Sequence, residues 1–312
     1  MKILVLGAGG VGGYFGGRMV EAGADVTFLV RPARAERIAK DGLRISSRFG
    51  NAKLDVKTVT QDQVKADYDL VLFTAKAYDL ASALDAIAPA MAGGKACVVP
   101  FLNGIAHYGV LDARFGRERV IGGVAYIGTK LGPDGEVRHF NEFHRIAFGP
   151  RAPSQAGVCE ALAARLKGVN FDWKLEPGIE QAAWDKWVLI ASLAGMTCLM
   201  RAAVGDIVAT GAGEKLVLGL LGECASIAKA EGFPPAEGAL ANFRGILTKK
   251  GSTFSASMLH DIENGGPAEG EHILGALLAR GRRHGLATPI LEIAATNLEA
   301  YAARRQREGA RA

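Results

Sequence analysis

Near its N-terminus the chain carries Gly7, Gly9 and Gly12 in G-x-G-x-x-G spacing, and far downstream Lys186 interrupts an apolar helical run. The first pattern is suited to holding phosphate, the second to moving a proton. In such a turn Gly7 permits a tight exit from a strand, Gly9 lets the backbone approach a pyrophosphate, and Gly12 lets the following helix lie close to the sheet. The helix N-terminus adds free N–H groups and a partial positive charge. Lys186 sits in Trp184-Asp185-Lys186-Trp187, with Leu189, Ile190 and Leu193 following. It either snorkels to solvent or is held in a cleft, where desolvation would lower its pKa and make it a competent proton donor.

The residue after the second strand selects the dinucleotide. An NAD site usually places Asp or Glu there to accept from the ribose 2′-OH, whereas this chain reads Val30-Arg31-Pro32-Ala33-Arg34. A guanidinium fork at Arg31, with Arg34 as a second candidate, matches a 2′-phosphate, so NADP(H) is expected; the alternative is a solvated start to the next helix. Lys76 follows the strand Asp69–Thr74 and Asn103 follows Ala96–Pro100, both at the carboxyl ends of strands, where open α/β sheets bind ligands. Lys76 is thus placed for a nicotinamide or a substrate, or is simply exposed. Asn103 could bond a substrate or ribose, or serve only as an Asn-Gly turn. Glu269 stands near the start of a downstream helix, where a first-turn acid is favoured by the helix dipole.

The elements that must position these residues form two groups. Residues Ile3–Leu6, the helix carried by Val11, Phe15, Met19 and Val20, and Val26–Val30 make a strand–helix–strand unit. Further strands are expected at Leu43–Ser47, Lys53–Val59, Asp69–Thr74 and Ala96–Pro100, with helices to about Lys40 and from Asp79 to Met91. From Arg119 to Gly149 shorter alternating segments read as antiparallel strands finishing the same sheet. His139, Asn141 and His144 fall there and read as polar sheet residues, since no third ligand has metal spacing. A helix over Ser154–Gly168 and an edge strand over Phe171–Leu175 follow. Past Pro177-Gly178 the pattern becomes helical: Ile179–Met200, Gly213–Glu231, Ala236–Lys249, Pro267–His284 and Pro289–Ala303. The expected fold is α/β: a Rossmann-type dinucleotide-binding domain over residues 1–177, then an all-helical domain over 178–312.

Composition narrows the function. With 312 residues, 49% hydrophobic, the chain can bury a large core, and its +5 charge suits an anionic cofactor and an acidic substrate rather than nucleic acid. Much of that charge lies in the tail Arg304–Ala312, which is expected to fray. Cys97, Cys159, Cys198 and Cys224 lack metal or redox spacing and read as buried thiols of a reducing compartment. A signal peptide and a membrane span are not expected, so the location is cytoplasmic. Leu216–Leu221 and Ile290–Ala295 suit a homodimer interface or a buried core equally well.

Taken together, Gly7, Gly9, Gly12, Arg31, Lys76 in AKAYD, Asn103-Gly104, Trp184-Asp185-Lys186, Ser257-Met258-Leu259-His260-Asp261 and Glu269 with Gly285–Pro289 resemble the ketopantoate reductase (2-dehydropantoate 2-reductase) family over nearly the whole chain. The resemblance implies NADPH-dependent reduction of a 2-oxo acid, ketopantoate, to pantoate in pantothenate biosynthesis. It implies that Lys186 is the general acid, that Lys76 and Asn103 serve cofactor and substrate, and that Ser257 and Glu269 meet substrate groups.

One departure stands out. Family members usually carry asparagines one and two turns after the helix lysine, where this chain has Ile190 and Ala194, and a further one is replaced near Val204. Each lost polar contact would cost a hydroxylated substrate about 1–3 kcal/mol. A less polar 2-oxo acid, an imine, or a non-catalytic NADP(H)-sensing role are the alternatives.

Overall fold

The computed structural model describes residues 1–309, which divide into two compact units. The first comprises residues 1–102 and 107–180, the second residues 103–106 and 181–312.

In the first unit the strands are β1 (Lys2–Leu6), β2 (Asp25–Leu29), β3 (Leu43–Ser46), β4 (Ala52–Leu54), β5 (Lys57–Val59), β6 (Leu70–Phe73), β7 (Cys97–Pro100), β8 (Gly122–Leu131), β9 (Val137–Gly149) and β10 (Asp172–Leu175). Its helices are α1 (Gly10–Glu21), α2 (Pro32–Asp41), α3 (Leu80–Met91), α4 (Ala106–Phe115) and α5 (Ala156–Arg165). One sheet has the order β5-β2-β1-β6-β7, parallel throughout. Strands β1 and β6 are apolar because both faces of a parallel sheet are covered. The order turns back at β1, so the ligand-binding crevice of this sheet lies beyond the carboxyl ends of β1 and β6.

The segments from Arg119 to Gly149 do not finish that sheet. They form long antiparallel strands, β8 and β9, in a second sheet of order β10-β9-β3-β4, with β8 paired along β9. Helix α1 lies between the two sheets, and its glycines make this possible. A Cβ on Gly16 would come within 2.8 Å of Phe28 in the first sheet, while one on Gly13 or Gly17 would come within 2.7 Å of Val137 or Ile45 in the second. Local alternation reports that strands exist; it does not report which layer they join. Helix α4 was not expected, because its apolar spacing is weak and it follows a turn signal. As expected, β10 is an edge strand.

The second unit is helical. It contains most of α6 (Ile179–Met200), then α7 (Val204–Val208), α8 (Gly213–Ala230), α9 (Glu237–Leu247), α10 (Ser257–Glu263), a π-helical segment (Glu271–Gly275) leading into α11 (Ala276–Arg283), and α12 (Pro289–Gly309). Helix α6 is apolar nearly all round, as a central helix must be. Trp187, Val188 and Ala191 are fully buried, and Ser192 and Thr197 turn their hydroxyls back to the carbonyls of Val188 and Leu193. Glu223 of α8 accepts from the N–H groups of Ile290 and Leu291 at 3.1 and 2.8 Å, capping α12 from a neighbouring helix.

The short helices α7 and α10 were missed because each is too short for periodicity to register. The tail expected to fray is helical through Gly309, with residues 310–312 outside the described part. Of the apolar segments read as interface or core, Val217, Leu220, Leu221, Leu291, Ala294 and Ala295 are buried within their own unit; Ile293 is exposed. All four cysteines are free thiols, Cys97 partly exposed.

Candidate active site

The glycine turn has the geometry of a phosphate cradle. Gly7 leaves β1 at φ +90°, a backbone that residues with a Cβ rarely adopt, and its N–H donates to Leu29 O at 2.8 Å. A Cβ on Gly12 would lie 2.3 Å from Gly7 O and 2.4 Å from Thr74 Oγ1, whereas one on Gly9 would meet nothing within 4 Å. Gly12 therefore packs helix against turn, and Gly9 leaves the approach open. Thr74 Oγ1 donates to Leu6 O at 2.6 Å, tying the ends of β1 and β6 together. Helix α1 begins without a side-chain cap and without an acidic residue in its first turn, so its N–H groups are compatible with an anion.

At the end of β2 the side chain of Arg31 is 83% exposed, 3.5 Å from Asp79. An ion pair this exposed contributes little and leaves the guanidinium able to meet a phosphate. Arg34 is committed elsewhere: it donates to Ala8 O and Gly135 O, each at 2.8 Å. The second candidate for the 2′-phosphate is thus a brace between the glycine turn and the β8–β9 connection. Lys76 follows β6 at the start of a short 3₁₀ turn, Ala77–Asp79, and is exposed.

A different arrangement occupies the second unit. Lys186 projects from α6 and donates from Nζ to Asn103 Oδ1 at 3.0 Å. Burial pushes its ammonium down to about 8, against the opposing pull of the Glu269 carboxylate. Glu269 is itself buried and stands just before the π-helical segment. Trp187, next to Lys186, donates from Nε1 to Ile273 O at 2.9 Å, so α6 is pinned to that segment. Gly104 turns the chain at φ +74°, and a Cβ there would sit 3.4 Å from His272 and from Trp187 Nε1. Asn103-Gly104 is thus both a turn and part of the polar group around Lys186.

The structure brings Asn103, Lys186 and Glu269 together. Ser257 opens α10 with its side chain exposed and makes no side-chain hydrogen bond among the described residues. Ile190 is partly buried one turn after Lys186, while Ala194 and Val204 are core residues.

His272 was not singled out from sequence. Burial lowers its imidazole pKa, opposed by Glu269 and by a hydrogen bond to the Asn103 backbone. The signal available was its spacing of three from Glu269, which puts two polar groups on neighbouring helical positions. His139 and His144, by contrast, are structural. His144 Nδ1 pairs with Tyr14 Oη at 2.9 Å, His139 Nδ1 with Ser47 Oγ at 2.9 Å, and Phe49 stacks on His144. Among the described residues no cluster of His, Cys, Asp or Glu could hold a metal ion, and no helix is long and apolar enough to cross a membrane.

A doubly wound parallel sheet with a glycine turn at its switch point, followed by a helical unit holding a desolvated lysine, defines an oxidoreductase that works with a nicotinamide dinucleotide on CH–OH chemistry. The chain belongs to the ketopantoate reductase family. Residues 3–153 match the model for ketopantoate reductase PanE/ApbA and residues 178–302 its C-terminal counterpart. It is 39% identical to the uncharacterized oxidoreductase YkpB of Bacillus subtilis, over 97% of this chain and 99% of that protein. It is 28% identical to the 2-dehydropantoate 2-reductase of Halobacterium salinarum, over 93% and 95% of the two chains. The crystal structure of 2-dehydropantoate 2-reductase from Geobacter metallireducens superposes with a TM-score of 0.86 at 32% identity, covering 96% of this chain and 99% of that one.

Proposed function

We propose that this protein reduces a 2-oxo acid to the 2-hydroxy acid with NADPH, with ketopantoate as first candidate and pantothenate biosynthesis as its setting. The observation that carries the reading is the Lys186 ammonium, held at 3.0 Å by Asn103 and balanced between burial and the Glu269 carboxylate. Residues 1–177 form the cofactor domain, and Gly7, Gly9, Gly12 and Arg31 hold the dinucleotide. Residues 178–312 form the substrate and dimerisation domain, in which Ser257 binds substrate. Lys76 and Asn103 serve both cofactor and substrate. The protein acts in the cytoplasm, and sedimentation velocity tests the homodimer.

When bound, the reduced nicotinamide supplies a hydride to the carbonyl carbon. Negative charge then develops on the carbonyl oxygen. The Lys186 ammonium stabilises that charge and transfers its proton to the same oxygen, which completes the hydroxyl. At about 8, its pKa leaves Lys186 largely protonated at neutral pH yet a far better acid than an exposed lysine. Glu269 keeps the ammonium charged despite its burial, and Asn103 fixes its direction.

Ile190 and Ala194 favour a second reading, a less polar 2-oxo acid or the imine derived from one. The test is NADPH oxidation with ketopantoate beside pyruvate, 2-oxoisovalerate and a bulkier apolar 2-oxo acid. Efficient turnover of ketopantoate supports the first reading, and turnover of only the less polar acids supports the second. Binding of NADPH with no turnover of any would sink both 2-oxo acid readings and leave the imine reductase or an NADP(H) sensor.

A further inference from the structure

The segment that carries Glu269 also carries His272, on the π-helical stretch Glu271–Gly275. Single π turns inside helices re-aim side chains and occur often at functional sites. Here the stretch is held from two sides. Trp187 Nε1 donates to Ile273 O at 2.9 Å, and Gly270 packs so closely on α12 that a Cβ there would lie 2.7 Å from Leu298.

His272 is thereby brought against the Asn103-Gly104 turn. A Cβ on Gly104 would lie 3.4 Å from both His272 Cδ2 and His272 O, so the ring and backbone of His272 form the floor of that turn. The imidazole hydrogen-bonds the Asn103 backbone, and the bond favours the protonated ring. A ring N–H therefore donates and the Asn103 carbonyl accepts. The same asparagine receives Lys186 Nζ on its side-chain oxygen. Around the imidazole stand Glu269, whose charge favours its protonation, and Arg280, whose charge opposes it.

We propose that His272 is a positioning residue: by holding the Asn103 carbonyl it fixes the Asn103 side chain on the Lys186 ammonium, and so sets the direction and acidity of the proton donor. The role needs one ring N–H, which the neutral imidazole supplies. Asn103 lies in a turn, and an acceptor whose backbone is not held cannot keep an ammonium in one place. The assignment deepens the reading of Lys186 as proton donor and rests on it for its catalytic meaning.

The test uses the full-length protein and a readout that needs no substrate: titration of the Lys186 ε-methylene by carbon NMR, assigned with Lys186→Met. An acceptor that favours the charged form raises a lysine's pKa, so losing it should lower the Lys186 pKa by roughly half a unit to one unit. His272→Phe, similar in bulk but without a donor, should give that fall, and so should Asn103→Ala. The double variant should fall no further than Asn103→Ala alone. Either His272→Asn or His272→Gln, whichever places its amide N–H at the ring nitrogen's position, should restore the wild-type titration. NADPH affinity should stay within about twofold in the His272 variants, since His272 is not among the residues assigned to the cofactor.

An unchanged Lys186 titration in His272→Phe, an additive fall in the double variant, or no rescue by either amide overturns the assignment. If His272→Phe does not fold, the two amide variants measured against Asn103→Ala carry the same decision. Failure of every 2-oxo acid as substrate would remove the proton-donor reading while leaving the titration result standing, so the two failures are distinguishable.

Discussion

The glycine turn and the lysine group are built on opposite principles. In the turn, the determining atoms are backbone, the residues lie within six positions of one another, and side chains matter by being absent: a Cβ on Gly12 would lie 2.3 Å from Gly7 O. In the lysine group the determining atoms are side chains from separate segments, Asn103, Lys186, Glu269 and His272. A phosphate cradle needs only a local path of the chain. A proton donor needs a particular acidity, and acidity is set by everything packed around it.

The largest effect that sharpens this contrast is expected at Lys186. Lys186→Ala should lower kcat by about a hundredfold to ten-thousandfold, the range of a lost proton donor, while NADPH affinity by fluorescence titration stays nearly unchanged. Unchanged turnover would refute the proton-donor role. Next come the glycines, which should separate from each other. Gly12→Ala forces helix from turn and should lower stability by about 1–3 kcal/mol together with cofactor affinity. Gly9→Ala, with nothing within 4 Å, should leave the thermal midpoint in place and weaken NADPH alone. Equal destabilisation by both would break the division of labour between cradle and packing.

Arg31→Ala should raise the Kd for NADPH about tenfold or more and leave NADH nearly unaffected, because a charge-assisted contact is lost only where a 2′-phosphate is present. Equal losses for both cofactors would disprove the 2′-phosphate assignment. In the pH profile, a donor must be protonated to act. Since burial places the Lys186 ammonium at about 8, kcat/KM should fall as pH rises through about 8, and a limb near the ordinary lysine value of 10.5 would contradict the desolvated site. The smallest effect is expected one turn from Lys186, where Ile190→Asn should improve ketopantoate relative to 2-oxoisovalerate by several-fold, one hydrogen bond's worth.

Much of this could be read along the chain, and the failures have a common cause. The span of α6 from Ile179 to Met200 matched its expectation at both ends, because a long apolar period is bounded by Pro177-Gly178 at one end and loses its pattern at the other. The parallel strands β1 and β6 were equally clear as short branched apolar runs. The second sheet was not, since alternation in β8 and β9 is the same whichever layer they join. Helices α4, α7 and α10 carried too little periodicity. Arg34 was read as a possible phosphate ligand, but Ala8 O and Gly135 O already take its guanidinium.

What the sequence determined by itself was whatever depends on neighbours along the chain: the glycine turn at a strand end, the arginine that replaces a carboxylate after β2, the run of helices past Gly178, and a lysine set among apolar residues. The tertiary structure alone decided that α1 lies between two sheets, that Asn103 meets Lys186 across 83 positions, and that Glu269 and His272 converge on the same pair. Those facts depend on packing between segments distant in sequence. Burial and electrostatic fields are properties of that packing, and residue order alone does not contain them.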